Sequence, residues 1–538
     1  VSEVERLADE FVQTWFAEDP TAPSILGLPG DHGRLPDYSA DSDQRFRARY
    51  ADIAAAAESA QGDPVTRGLV VQQARAAVDR IDAAEVEFSV SDGLSAPGLR
   101  LLNLLPVLTV TTDELAEGYV SRLAAIPSYL DAVIERQRDA ALPGFLVRAG
   151  AEALGRYLDA PDDDPLRLSG HSFVDSQEKL LADVVRPAFA RYREFLLDEL
   201  APRALSEDKA GLCWQPDGEQ RYARLVRFHT TTDHTPQELH ETGLRLIDAL
   251  AEEYRELGSR VFGTTELPEI FERLRTDPEL RWGSGDELLE AARSAIRQAE
   301  AVAPQWFRTV PEQECEVRPV PPAEADGGTI AYYIGPDFAR TRQGVYYANT
   351  SHAEERFRHT SEAIAFHEAV PGHHFQISGA MNLTGAPLLA KIAEINSYLE
   401  GWGLYAERLA DEMGLYSSDV SRFGMLTQDS MRAGRLVVDT GMHALGWSRQ
   451  QAVDYLREHT PMAPLEIELE IDRYAGVPGQ ALSYMVGRLE IQRVRAEAEA
   501  ALGERFDIRD FHDAVLGSGI LPLAVLDTVV RNWVASVR

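Results

Sequence analysis

The chain alternates between long runs with apolar residues at helical spacing and short stretches rich in Gly and Pro. Val4 to Phe16 repeats apolar positions every three or four residues before the loop Pro20 to Asp37, which predicts an amphipathic helix and a break. Thr111-Thr112-Asp113-Glu114 reads as a capping box that opens another helix. Pro161 to Pro165 is an acidic loop, and Val174 to Leu200 reads as one long helix. Thr235-Pro236-Gln237-Glu238 combines a cap, an early proline and the reciprocal acid, launching a helix to Leu257 or so. Ser448 to Gln451 starts another. Ile520 to Val537 is the most apolar long stretch, but it contains Asp527 and Arg531 and begins beside Pro522. It predicts an amphipathic helix and not a membrane span.

Strand patterns are few. After the Pro-rich run Val310 to Gly328 come Thr329 to Ile334 and Gly344 to Asn349, both β-branched or aromatic and bounded by Gly and Pro. They predict a hairpin just before a helix that starts after Thr360. An exposed edge of such a hairpin could pair with an extended peptide; a hairpin that only stabilises the core is the plainer alternative.

Composition narrows the classes. A chain of 538 residues, 44% hydrophobic and 26% charged, is globular and long enough for two or more domains. A net charge of −34 argues against a nucleic-acid partner, because phosphate contacts need clustered Lys and Arg. It gives a well-solvated surface with, at most, a mild attraction for cationic peptides. Cys213 and Cys315 make no disulfide framework, and reduced cysteines fit a cytoplasmic setting. The opening Val1-Ser2-Glu3 shows no basic segment followed by an apolar one, although a signal removed earlier would leave the same start. No membrane partner is expected, no repeat stands out, and the oligomeric state is not legible.

The candidate chemistry sits in Ala365-Phe366-His367-Glu368-Ala369-Val370-Pro371-Gly372-His373-His374-Phe375-Gln376. Imidazoles hold a hydrolytic zinc and a neighbouring carboxylate takes a proton from water; the usual spacing is His-Glu-x-x-His, with both His on one helical face. Here the fourth position after His367 is Pro371, and the next His follow six and seven residues on. Proline predicts a kink or bulge. An unbroken helix would favour His374, a bulge could bring back either His373 or His374, and the spacing alone leaves the choice open. A third ligand should come from another element. Ala390 to Gly414 reads as one long helix in which Asn396, Glu400 and Glu407 share a face among apolar residues. Carboxylates there need a cation or hydrogen bonds, so Glu400 is the natural third ligand and Glu407 a partner that orients an imidazole.

His367-Glu368-x-x-Pro371-Gly372-His373 with Gln376, Glu400-Gly401-Trp402 with Tyr405 and Glu407, and Arg473-Tyr474-x-x-x-Pro478-Gly479-Gln480-Ala481 with Tyr484 and Gly487 resemble the DUF885 family. The notional kinship extends to zincin-like metallopeptidases of the Glu-zincin type, relatives of neurolysin and the thermostable carboxypeptidases. The resemblance implies one zinc per chain on His367, His373 and Glu400, with Glu368 as general base. It also implies a mainly α-helical, zincin-like fold with a small β-sheet beside a deep cleft. A helical half, residues 1–220, would line that cleft, and residues 221–538 would form the catalytic half.

The expected function is a zinc metallopeptidase that hydrolyses short peptides. Tyr484 is the candidate donor to the oxyanion. Arg473 could anchor a substrate carboxylate, as a carboxypeptidase requires, although Asp472 beside it could pair with it instead. His374 could support the metal site or the oxyanion. Two other readings are a zinc hydrolase of a non-peptide amide and a catalytically idle scaffold used for binding.

Overall fold

The computed structural model describes residues 1–169, 174–325 and 329–538. Helices make up nearly all of its regular structure. Their starts follow the capping chemistry in the sequence. Thr235 Oγ1 accepts from the Glu238 N–H, and the Glu238 carboxylate accepts from the Thr235 N–H, both at 3.1 Å, opening Pro236–Phe262. Ser448 and Gln451 close the same kind of box before Arg449–His459. The expected box at Thr111 does not close. The cap is Thr112, so the third helical residue is Leu115, which has no carboxylate to return the bond.

The stretch from Val174 to Leu200 is helical throughout but not uniform. Wider π-turns at Leu181–Val185 and Leu196–Leu200 flank Arg186–Phe195. The first widening lies just before Pro187, which has no N–H to offer the ladder. The expected helix from Ala390 to Gly414 is also divided: Leu388–Ile392 ends, and Asn396–Glu412 begins after a turn in extended backbone at Ala393 and Ile395.

The expected hairpin exists within a larger sheet. Strands β1 (Cys315–Pro319), β2 (Ala331–Ile334) and β3 (Gly344–Ala348) lie in the order β1-β3-β2, with β1 parallel and β2 antiparallel to β3. β1 comes from the Pro-rich run that gave no strand pattern; residues 326–328 at its end lie outside the described residues. Because β3 is central, strand addition is possible only at β1 or β2 among the described strands.

Two helix pairs dominate the core. Pro236–Phe262 packs along Asp419–His443, and Asn396–Glu412 packs along Ser483–Leu502. The second pair crosses at glycine. A β-carbon on Gly401 would lie 2.5 Å from the Gly487 Cα, and one on Gly487 would lie 1.8 Å from the Ser397 carbonyl oxygen. Tyr484, one turn before Gly487, lies beside His367, their ring centres 6.3 Å apart. Asp419–His443 is buried on every side from Phe423 onward.

Apolar residues from Val4 to Val530 form one buried cluster. Residue 220 lies inside the helix Gly218–Thr230, which packs against Pro64–Ala83 and also against Asn396–Glu412. Among the described residues no helix is long and apolar enough to cross a membrane.

Candidate metal centre

The first histidine helix, Ser361–Glu368, does not bend at the proline; it stops. Ala369 leaves helical geometry at φ −108°, ψ −101°, the Val370-Pro371 bond is cis, and a second helix, His373–Met381, starts afresh. The turn is tight because Gly372 lies against the end of the first helix: a β-carbon there would be 1.8 Å from the His367 carbonyl oxygen. Trp402 holds it from the other side, donating from Nε1 to the Pro371 carbonyl at 2.8 Å. With two separate helices, a helical-wheel argument across Pro371 loses its basis. His373, not His374, turns towards His367, the two rings being 4.7 Å apart and perpendicular.

His367, His373 and Glu400 each bring a donor atom within 4.8 Å of the others. His367 Nε2 and His373 Nε2 both point at Glu400 Oε2, at 3.1 and 3.2 Å. A tetrahedron of metal–ligand bonds near 2.0 Å has edges of about 3.3 Å, so these two separations match two of the three edges that three zinc ligands span, and the third lies within 4.8 Å. The donor set, two imidazoles and a carboxylate with a fourth corner left for water or substrate, is the one catalytic zinc uses. A second group, His352, Glu354 and Glu355, is fully exposed at the surface.

Glu407 is wholly buried and sets Oε2 3.4 Å from the other ring nitrogen of His367. That contact orients the imidazole and favours metal binding through Nε2. Among the described residues, the second nitrogen of His373 has no hydrogen-bond partner. Burial opposes protonation of His367, but hydrogen bonds to Glu400 and Glu407 outweigh it and raise its pKa to about 9. Burial likewise penalises the Glu400 carboxylate, and the His373 and His367 rings overcome this and hold it well below its usual range. Both shifts describe a site built to gather positive charge.

Glu368, at the end of its helix, is raised above the usual carboxylate pKa by burial, against the opposing pull of His373 and His367. Tyr484 lies nearly parallel to His367, ring centres 6.3 Å apart. His374 takes no place in the trio. Its Nδ1 meets the Tyr333 hydroxyl on β2 at 2.7 Å and its Nε2 the Gln313 carbonyl at 2.8 Å, so both nitrogens are committed to the sheet side. Asp472 does not claim Arg473: it binds Arg449 at 2.7 Å, leaving Arg473 beside Gln480 and Glu470.

The sequence reading missed Arg432 and Arg435, two buried arginines whose guanidiniums lie over the Tyr484 ring, at 5.4 and 4.5 Å from its centre. Gln428, Arg432, Arg435 and Asp439 recur at helical spacing, but Thr427, Asp429 and Ser430 among them give the stretch the look of a surface helix, so the sequence carries no clear signal.

Two solved structures share the fold. "The putative lipoprotein from Colwellia psychrerythraea" aligns over 100% of both chains at TM-score 0.92 and 25% identity. "A putative lipoprotein of unknown function from Shewanella oneidensis" aligns over 98% of this chain and all of its own at TM-score 0.76 and 16% identity. Neither description supports the cytoplasmic setting expected from the cysteines. None of the curated proteins compared matches the chain. The family model described as "Bacterial protein of unknown function (DUF885)" matches residues 20–530, and the chain belongs to that family.

Proposed function

We propose that the protein is a zinc-dependent hydrolase that cleaves amide bonds of short peptides, with a zincin-like arrangement of helices walling the cleft. The observation that carries this reading is the pair of imidazole nitrogens 3.1 and 3.2 Å from one carboxylate oxygen, at the spacing of a tetrahedral zinc site. Zinc bound there supplies Lewis acidity, making a water easier to deprotonate and a carbonyl easier to attack.

The chain's own residues do the rest. His367, His373 and Glu400 would hold the ion, and Glu407 fixes the His367 ring. Glu368 accepts the proton of the attacking water and returns it to the leaving amine. Burial raises its pKa above the usual carboxylate range, which makes it a stronger base than a free carboxylate. Tyr484, beside His367, donates a hydrogen bond to the oxygen on which negative charge develops. A general base beside the metal ligands would serve no purpose in a scaffold used only for binding, so the presence of Glu368 favours catalysis.

The test is turnover of a synthetic peptide mixture by the zinc-loaded protein, read by mass spectrometry. Cleavage that disappears in Glu368→Gln supports the reading. Cleavage of small non-peptide amides alone would redirect it to another substrate, and a metal-loaded protein without any turnover would refute it.

A further inference from the structure

Three guanidiniums converge beside Tyr484. Arg432 and Arg435 are 9% and 4% exposed, and among the described residues each keeps one buried nitrogen without a partner, Nε in Arg432 and Nη1 in Arg435. Arg435 donates to the Tyr474 hydroxyl at 2.7 Å and to Glu470 at 2.9 Å. Arg432 binds the Gln428 side chain and comes only within 4.0 Å of Glu407, whose other oxygen faces His367.

Arg473 completes the group and is the member that reaches open space, at 31% exposure. Its polar contacts are an ordinary hydrogen bond to Gln480 at 3.2 Å and a 3.5 Å approach to Glu470, a carboxylate already bound more closely by Arg435. The nearest sequence rival, Asp472, is engaged elsewhere. Glu466 is also close, but burial together with the Glu470 charge raises its pKa to about 7, so it compensates the cations only in part. The unused buried donors belong to Arg432 and Arg435, so the cluster carries positive charge that Glu470 and Glu466 do not balance, and an anion at the more exposed Arg473 would compensate it.

The position of the cluster identifies the anion. From the His367 ring to Tyr484 is 6.3 Å, and from Tyr484 to Arg435 is 4.5 Å. An extended chain advances roughly 3.5 Å per residue, so these two steps, laid end to end, cover up to about three residues beyond a bond cleaved at the metal. We propose that Arg473, held in place by Arg435 through Glu470, binds the α-carboxylate at the C-terminus of a peptide, making the enzyme a carboxypeptidase. This rests on the metal-peptidase reading above. In the reaction, water adds across the scissile C–N bond, hydroxyl to the acyl carbon and proton to the amine nitrogen. The products are a shortened peptide and the C-terminal fragment.

The experiment uses an N-blocked pentapeptide and its C-terminally amidated twin, with zinc-loaded wild type, Arg473→Gln and Arg473→Lys. Wild type should cleave the free acid with kcat/KM roughly 100-fold above the amide, the scale of one lost charge-paired contact. Arg473→Gln should abolish that preference by lowering turnover of the acid alone, and Arg473→Lys should restore part of it. Damage to the fold would lower both substrates together. Equal cleavage of acid and amide by wild type would overturn the carboxylate site and leave the peptidase reading standing. Failure to cleave either peptide, with metal bound, would overturn both.

Discussion

Gly403 lies so close to His367 that a β-carbon on it would sit 2.7 Å from both Cε1 and Nε2 of the imidazole. The ring is therefore held on one edge by the backbone of the Glu400 helix and on another by the Glu407 carboxylate. Gly403→Ala should weaken metal retention, because the ring must move off its Nε2 alignment. Helix propensity alone would favour Ala by about 1 kcal/mol, so an unchanged or raised melting temperature with faster zinc loss to a chelator is the expected pattern. Unchanged zinc retention would show that the ring position is not critical.

Glu407→Gln tests the same ring from its other side. The contact is 3.4 Å and buried, and loss of such an orienting carboxylate costs roughly 10- to 100-fold in metal affinity. Competition against a chromophoric chelator measures it. An affinity within twofold of wild type would remove Glu407 from the metal's support.

Glu368→Gln keeps the shape of the side chain and removes the base. Turnover should fall by roughly 10²- to 10⁴-fold with zinc content unchanged, as measured by peptide assay and elemental analysis on the same sample. Full activity in this variant would contradict the assigned chemistry.

Asp439 supplies a pH test away from the metal. It is buried, accepting from the Tyr222 hydroxyl at 2.6 Å and the Gly479 N–H at 3.1 Å, which pins the turn before Gln480. Burial raises its pKa from 3.8 to about 7. A carboxyl raised in this way binds more protons folded than unfolded, so its contribution is most favourable below pH 3.8. That contribution diminishes as pH rises towards 7 and stays absent above. Asp439→Asn, which resembles the protonated acid, should match wild type near pH 4 and melt higher than wild type at pH 8. Parallel melting curves across that range would show that Asp439 is not raised.

The parts of the site that sequence reveals are those set by local spacing. His367-Glu368 and the Glu400–Glu407 face stand out because a helix fixes which side chains share a side. The choice between His373 and His374 did not follow from spacing, because it depends on a turn built by Gly372 packing on the His367 carbonyl and Trp402 binding the Pro371 carbonyl, both tertiary contacts. The helix break at Ala393 carries no Pro or Gly to announce it. β1 is a strand because β3 pairs with it in parallel, a long-range partnership that Cys315-Glu316-Val317-Arg318-Pro319 does not advertise. Arg432 and Arg435 look like ordinary helix-surface residues until Asp419–His443 is seen to be buried all round.

The central claim is that His367, His373 and Glu400 hold one metal ion and that His374 does not. Zinc content per chain, measured after loading and exhaustive dialysis for wild type, His373→Ala and His374→Ala, tests it most directly. The account predicts about one zinc in wild type and in His374→Ala, as one tetrahedral site requires, and loss of zinc in His373→Ala. Zinc retained by His373→Ala but lost by His374→Ala, or no zinc held by wild type, would contradict it.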